Sequence, residues 1–131
     1  MGDDKLKSSI TSISIFIIMV LFIVFSVHYL KIIDSKLIYS SNQIEKSLDS
    51  NSFDKADDFL KQFKINWNKY SNKMTMFTNN NEIDDINLEL SELSQHIRFK
   101  NKEEALVSIS SIRNIINSIS DMERLSLQNI F

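Results

Sequence analysis

Cysteine, histidine and carboxylate side chains carry most protein chemistry, and here their types and spacings argue against catalysis. The chain has no Cys, which excludes thiolate nucleophiles and cysteine-based metal sites. Its two histidines, His28 and His96, form neither a His-x-x-x-His nor a His-Glu-x-x-His spacing. His28 stands beside Tyr29 at the end of an apolar run, where an interfacial role suffices. His96 adjoins an apolar stripe through Leu93 and Ile97, where an ordinary, partly exposed imidazole is expected. Asp57-Asp58 and Asp84-Asp85 are sequence neighbours, so on a helix they point about 100° apart and make no carboxylate dyad. A phosphate-cradling loop is impossible with the single Gly2. No catalytic residue, cofactor or metal ligand is therefore expected, and the chain is not expected to be an enzyme. One acidic group stands out, Glu82, Asp84 and Asp85. It suits the first turn of a helix, where the dipole favours negative charge. Partner binding is its candidate functional role.

Helices must position these groups, and the first of them is apolar. From Ile10 to Leu30 there is no Asp, Glu, Lys or Arg. At a rise of about 1.5 Å per residue the run spans roughly 30 Å, the thickness of a bilayer's hydrocarbon core. Ile13, Ile15, Phe16, Ile17, Ile18, Val20, Leu21, Phe22, Ile23, Val24 and Phe25 leave no polar stripe, unlike a helix buried in a small core. A cleaved signal peptide is the competing reading, with Lys5 and Lys7 before the run and Val24-Phe25-Ser26 as a cleavage site. The run exceeds an h-region of about 7–15 residues and no Ala-x-Ala follows it, so an uncleaved anchor is expected. Residues 1–9 are then a tail, 10–30 a transmembrane helix and 31–131 an extracytoplasmic helical domain. Lys5, Lys7 and the α-amino group nearly balance Lys31, Lys36 and Lys46 beyond the helix. A short tail before a long domain favours a cytoplasmic N-terminus, with the domain outside the cell membrane. Leu6, where Ser or Thr would be needed, excludes a myristoylation signal.

Composition restricts the domain to helices. With no Pro and only Gly2, hairpin turns and bulges lack their usual residues, and an all-β or doubly wound fold is not expected. The roughly 100 residues after the anchor suffice for one modest core. A net charge of −2 gives no electrostatic footing for nucleic acid. A domain without Cys suits export with no reliance on disulfides. The richness in Ile, Asn, Lys and Ser reads as the bias of an AT-rich, low-GC bacterial genome.

The expected fold is all-α, an N-terminal transmembrane helix followed by a four-helix antiparallel bundle-like domain. The first bundle helix, about Lys31 to Leu48, has Ile33, Leu37, Ile44 and Leu48 on one face and Ser40, Ser41 and Asn42 opposite. No breaker separates it from the membrane helix. Asp49 to Ser52 makes a polar turn, with Ser52 as N-cap. The strongest pattern follows: Phe53, Ala56, Leu60, Phe63, Trp67, Tyr70, Met74 and Phe77 recur at spacings of three and four. This aromatic seam is expected to be the core spine, with a groove or dimer seam as its functional alternative. Thr78 to Asn81 ends that helix and caps the next, which runs from about Glu82 to Arg98 with Ile83, Ile86, Leu90, Leu93 and Ile97 inward. Asn101-Lys102-Glu103-Glu104 is a capping box opening a fourth helix with Ala105, Ile109, Ile112, Ile116 and Ile119. Ser120 to Glu123 forms a second box, which predicts a separate short turn before Leu125, Leu127, Ile130 and Phe131 dock on the bundle.

This order of features resembles a family. An anchor precedes a helix with a central Trp67, then Phe77 and a polar loop. Glu82-Ile83-Asp84-x-Ile86, Leu90-x-x-Leu93, Ile97, Ala105-Leu106 and Ile109 follow, and the end reads Leu127-x-Asn129-Ile130-Phe131. The pattern resembles the domain of unknown function 4363 family of clostridial single-pass membrane proteins, over essentially the whole chain. Two departures are visible: Ser120 stands where the family tends to carry Pro, and a run of Asn precedes Glu82. The resemblance carries over no catalytic or ligand residues. It implies an accessory membrane role beside a multipass, YetF-like partner, linked to sporulation.

Two functions fit these readings. The first is a membrane-anchored interaction protein that partners another envelope protein through the acidic start and the membrane-proximal helix. The alternative is an extracytoplasmic ligand-sensing helical bundle. A receptor of that kind needs a second membrane pass and an output domain, so its signal would pass through a partner. The bilayer and a membrane protein are thus the expected partners, a second copy of the chain is a further candidate, and a small-molecule ligand is not expected.

Overall fold

The computed structural model describes residues 2–75 and 80–130, with side chains described through residue 121. Among the described residues the fold is all-α and without strands: α1 Gly2–Asp49, α2 Phe53–Met74, α3 Asn80–Arg98 and α4 Lys102–Ile130. The chain divides into two compact units, Met1–Ile32 and Ile33–Phe131.

The first unit is apolar helix. Most of its large side chains from Ile10 to Phe25 remain open, from 50% exposed at Ile17 to 72% at Phe22, with Val20 and Ile23 half-buried. None of its apolar window is buried, and α1 is long and apolar enough to cross a membrane. A folded soluble domain rarely leaves so large an apolar surface uncovered.

The second unit is a helical bundle built on the expected stripes. On α2, Ala56, Leu60, Phe63, Trp67, Tyr70 and Met74 are buried. Buried with them are Ile33, Leu37, Ile44 and Leu48 of α1, the five apolar residues expected on α3, and Ala105, Ile109, Ile112, Ile116 and Ile119 of α4. Trp67 and Tyr70 lie with ring centroids 5.8 Å apart, tilted 32°, a geometry that lets aromatic pairs attract beyond simple burial. Phe53 departs from the expected spine and is only half-buried, because as the first residue of α2 it has no preceding helical turn to pack under. Phe77 lies outside the described residues. Ser40 and Ser41 also depart from expectation: both are buried, whereas Asn42 is exposed. They can sit on the core side because a serine side chain is small and brings only one hydroxyl to satisfy. Burial is tolerated because a helical carbonyl can serve as acceptor, as where the Ser41 hydroxyl donates to the carbonyl of Ile38 at 2.8 Å.

Two connections close by one backbone motif. After α1, the Ser52 N–H reaches the Ser47 carbonyl at 2.7 Å and Asn51 adopts φ 58°. After α3, the Asn101 N–H reaches the His96 carbonyl at 2.8 Å and Lys100 adopts φ 56°. Both are helix ends in which a left-handed residue lets the chain satisfy orphan carbonyls. Ser52 occupies the N-cap position of α2, but its side chain makes no cap bond. Asn101 does cap, accepting from the Glu104 N–H at 3.4 Å. Only half of that capping box forms, since the Asn101 N–H is already committed to His96. Asn80 and Asn81 lie within α3; Thr78 and Asn79 lie outside the described residues. The turn expected at Ser120 is absent, for α4 continues to Ile130 and the Ser120 hydroxyl instead donates to Asp34 on α1 at 3.0 Å. The side chains of Leu125, Leu127 and Ile130, and all of Phe131, lie outside the described residues.

Trp67→Ala empties the largest fully buried side chain and is expected to destabilise the bundle by about 3–5 kcal/mol. Guanidinium denaturation of the chain in mild detergent, followed by helicity, measures it; a loss below roughly 1 kcal/mol would show that the ring carries little of the core. Lys100→Gly is expected to stabilise by about 1 kcal/mol, because glycine pays no Cβ penalty in the left-handed region. The same denaturation series tests its sign.

Candidate functional site

Helix α3 sets out its polar residues in two groups. The first is the acidic start. Glu82 is half-buried, whereas Asp84 and Asp85 are exposed. One Glu82 oxygen, Oε2, is buried with no hydrogen-bond partner among the described residues. Ile83 and Ile86 point inward between these acids, which fixes the outward direction of Asp84 and Asp85. The structure thus holds the three predicted residues within about one helical turn, without closing them around a common point.

The second group faces α2. Trp67 is only 1% exposed, so its indole N–H must find an acceptor in the protein. It donates to Asn87 Oδ1 at 2.8 Å. Above this bond lies a shallow groove of roughly 400 Å³ lined by Lys64, Trp67, Asn68, Asn87, Leu90, Ser91, Ser94 and Gln95. Its lining offers amides, hydroxyls and one ammonium, with no acid. Sequence periodicity placed Trp67 in the core but gave no sign of Asn87; a buried indole's need for an acceptor on the facing helix was the available clue.

Polar links also join α1 to α4. Arg113 forms an ion pair with Glu45, Ser120 bonds Asp34, and Lys102 donates to the Asp49 carbonyl at 3.2 Å. As numbers rise along α1 they fall along α4, which establishes antiparallel packing of the two. Sequence reasoning missed all three, because each joins positions far apart in the chain.

The residues that could do chemistry remain dispersed. His28 is exposed and His96 half-buried; Glu92 stands one turn before His96, but the two form no ion pair. Asp57 pairs with Lys61 one turn on, at 3.3 Å, and Asp58 lines a separate polar groove between α1 and α2. Among the described residues no cluster of three His, Cys, Asp or Glu side chains is placed to hold a metal ion.

With the helices and their polar seams in place, the family can be tested directly. The family described as domain of unknown function (DUF4363) matches residues 24–130. The chain belongs to the DUF4363 family. The matched region starts inside the apolar run and takes in all of α2, α3 and α4, so the family is defined by the bundle together with the end of the apolar helix. No curated protein matches the chain, and no solved structure does.

Asn87→Ala leaves a buried indole N–H without its acceptor in this DUF4363 bundle. The expected cost is about 1 kcal/mol, whereas Asn87→Asp keeps an oxygen in place and retains most of the stability. Denaturation monitored by Trp67 fluorescence compares the two.

Proposed function

We propose that this DUF4363 chain is a single-pass membrane protein whose external helical bundle acts as an accessory partner of another envelope membrane protein. The observation that carries the reading is the apolar helix from Ile10 to Phe25, none of whose apolar window is buried, in one chain with a helical bundle. Lipid is the surrounding that such a helix fits. The bundle's own exposed groups offer surfaces for a protein partner, with Asp84 and Asp85 foremost among them. The family resemblance adds the clostridial, sporulation-linked setting and a YetF-like multipass neighbour as the partner to try first.

Fractionation of cells expressing the full chain tests the anchor. The expected outcome is recovery in membranes that resist alkaline carbonate and release only with detergent, and recovery in the soluble fraction would overturn it. Protease added outside spheroplasts is expected to digest the bundle. Crosslinking from sporulating and vegetative cells is expected to recover one specific membrane protein. Asp84→Asn with Asp85→Asn should weaken that recovery at a stability cost below about 1 kcal/mol, since each removes only an exposed charge near a helix start.

A further inference from the structure

The outer faces of α2 and α3 carry charges of opposite sign. From Phe59 to Met74 there is no Asp or Glu, and from Asn80 to Ile97 there is no Lys or Arg. On α2, Lys61, Ile65 and Lys69 recur every four residues, so they share one side of the helix. Ile65 lies two residues from each of Phe63 and Trp67, both buried, which turns it about 200° away from the core; it is 58% exposed. On α3, Asp84, Leu88 and Glu92 repeat the pattern. Leu88 lies between buried Ile86 and Leu90 and is 60% exposed. Each stripe is thus an apolar centre flanked by charges, positive on α2 and negative on α3.

The stripes are also level. The bond from Trp67 to Asn87 sets these two residues at one height on antiparallel helices. Counting outward, Ile65 falls beside Leu88, Lys69 beside Asp84 and Lys61 beside Glu92, each within one residue. Within a chain the opposite charges do not meet: Lys61 pairs with Asp57 of its own helix, and among the described residues Lys69, Asp84 and Glu92 make no ion pair. An exposed pair such as Lys61–Asp57 is weak and leaves the ammonium able to turn to another carboxylate.

We propose that this face is a self-association surface whose occupant is a second copy of the same chain. A two-fold axis running along α2 and α3 lays the α2 of one copy on the α3 of its partner, and the reverse. That symmetry brings Ile65 against Leu88, with a Lys–acid pair above and below, twice over. An isologous contact of this kind is the commonest way for copies to pair. The axis also leaves both bundles the same way up, which suits two chains in one bilayer, a point that rests on the proposed membrane anchor. The patch is small, and anchoring compensates by raising the effective concentration of the second copy.

The test uses full-length chains in native membranes, where the absence of Cys makes introduced thiols unique. Two differently tagged copies, one Ile65→Cys and the other Leu88→Cys, are co-expressed and oxidised. The mixed disulfide is expected to exceed either self-pair, and to exceed a Val107→Cys control on α4. Lys61→Glu with Lys69→Glu, or Asp84→Lys with Glu92→Lys, should each lower the mixed product about tenfold by placing like charges together. All four reversals carried together by both copies should restore it, which a merely misfolded variant could not do. A yield no higher than the Val107 control, or one unmoved by charge reversal, would overturn the proposal.

Discussion

Burying an indole obliges the fold to supply an acceptor for its N–H, and that obligation sets the register of the bundle. Trp67 reaches the core because a three-four repeat of apolar residues turns it inward. Its N–H then has one polar partner, Asn87. A slip of α3 that brought Ile83 to the place of Asn87 would leave a buried donor unsatisfied, at a cost of about 1–3 kcal/mol. The heights of the lysines on α2 and the acids on α3 follow from that one bond, as does the floor of the groove between them.

Much of this architecture is legible in the residue pattern, because helical periodicity is local. The stripes on α2, α3 and α4 are each visible within a few turns, and the absence of Pro and internal Gly removes the alternatives. What stayed hidden depends on another helix. Ser40 and Ser41 read as polar, yet both are buried, and whether a hydroxyl faces water or the core is decided by the packing of the other helices. Ser120 followed by Glu123 has the letters of a cap, yet Asp34 on α1 gives the hydroxyl a partner and α4 continues unbroken. Asn51 and Lys100 adopt left-handed geometry where no Gly advertises it. The acids near the start of α3 were expected in its first turn, but the helix begins at Asn80 and only Glu82 lies there, and the sequence did not show that the three carboxylates fail to converge.

These features bear on how a DUF4363 bundle can work. Its polar residues hold helices together, at Glu45 with Arg113 and Trp67 with Asn87, and what remains outside is a patterned surface. On the proposed reading, that surface meets a neighbouring protein, and changes of exposed charge would alter the meeting without disturbing the core.

The matching closures at Asn51 and Lys100 also shape the route to the folded state. Each joins two consecutive helices through backbone bonds spanning only a few residues, and closing so short a loop costs little chain entropy. The bond from Trp67 to Asn87 instead links α2 to α3 across 20 residues, so the surroundings of the indole report on packing between helices rather than on the growth of any one helix.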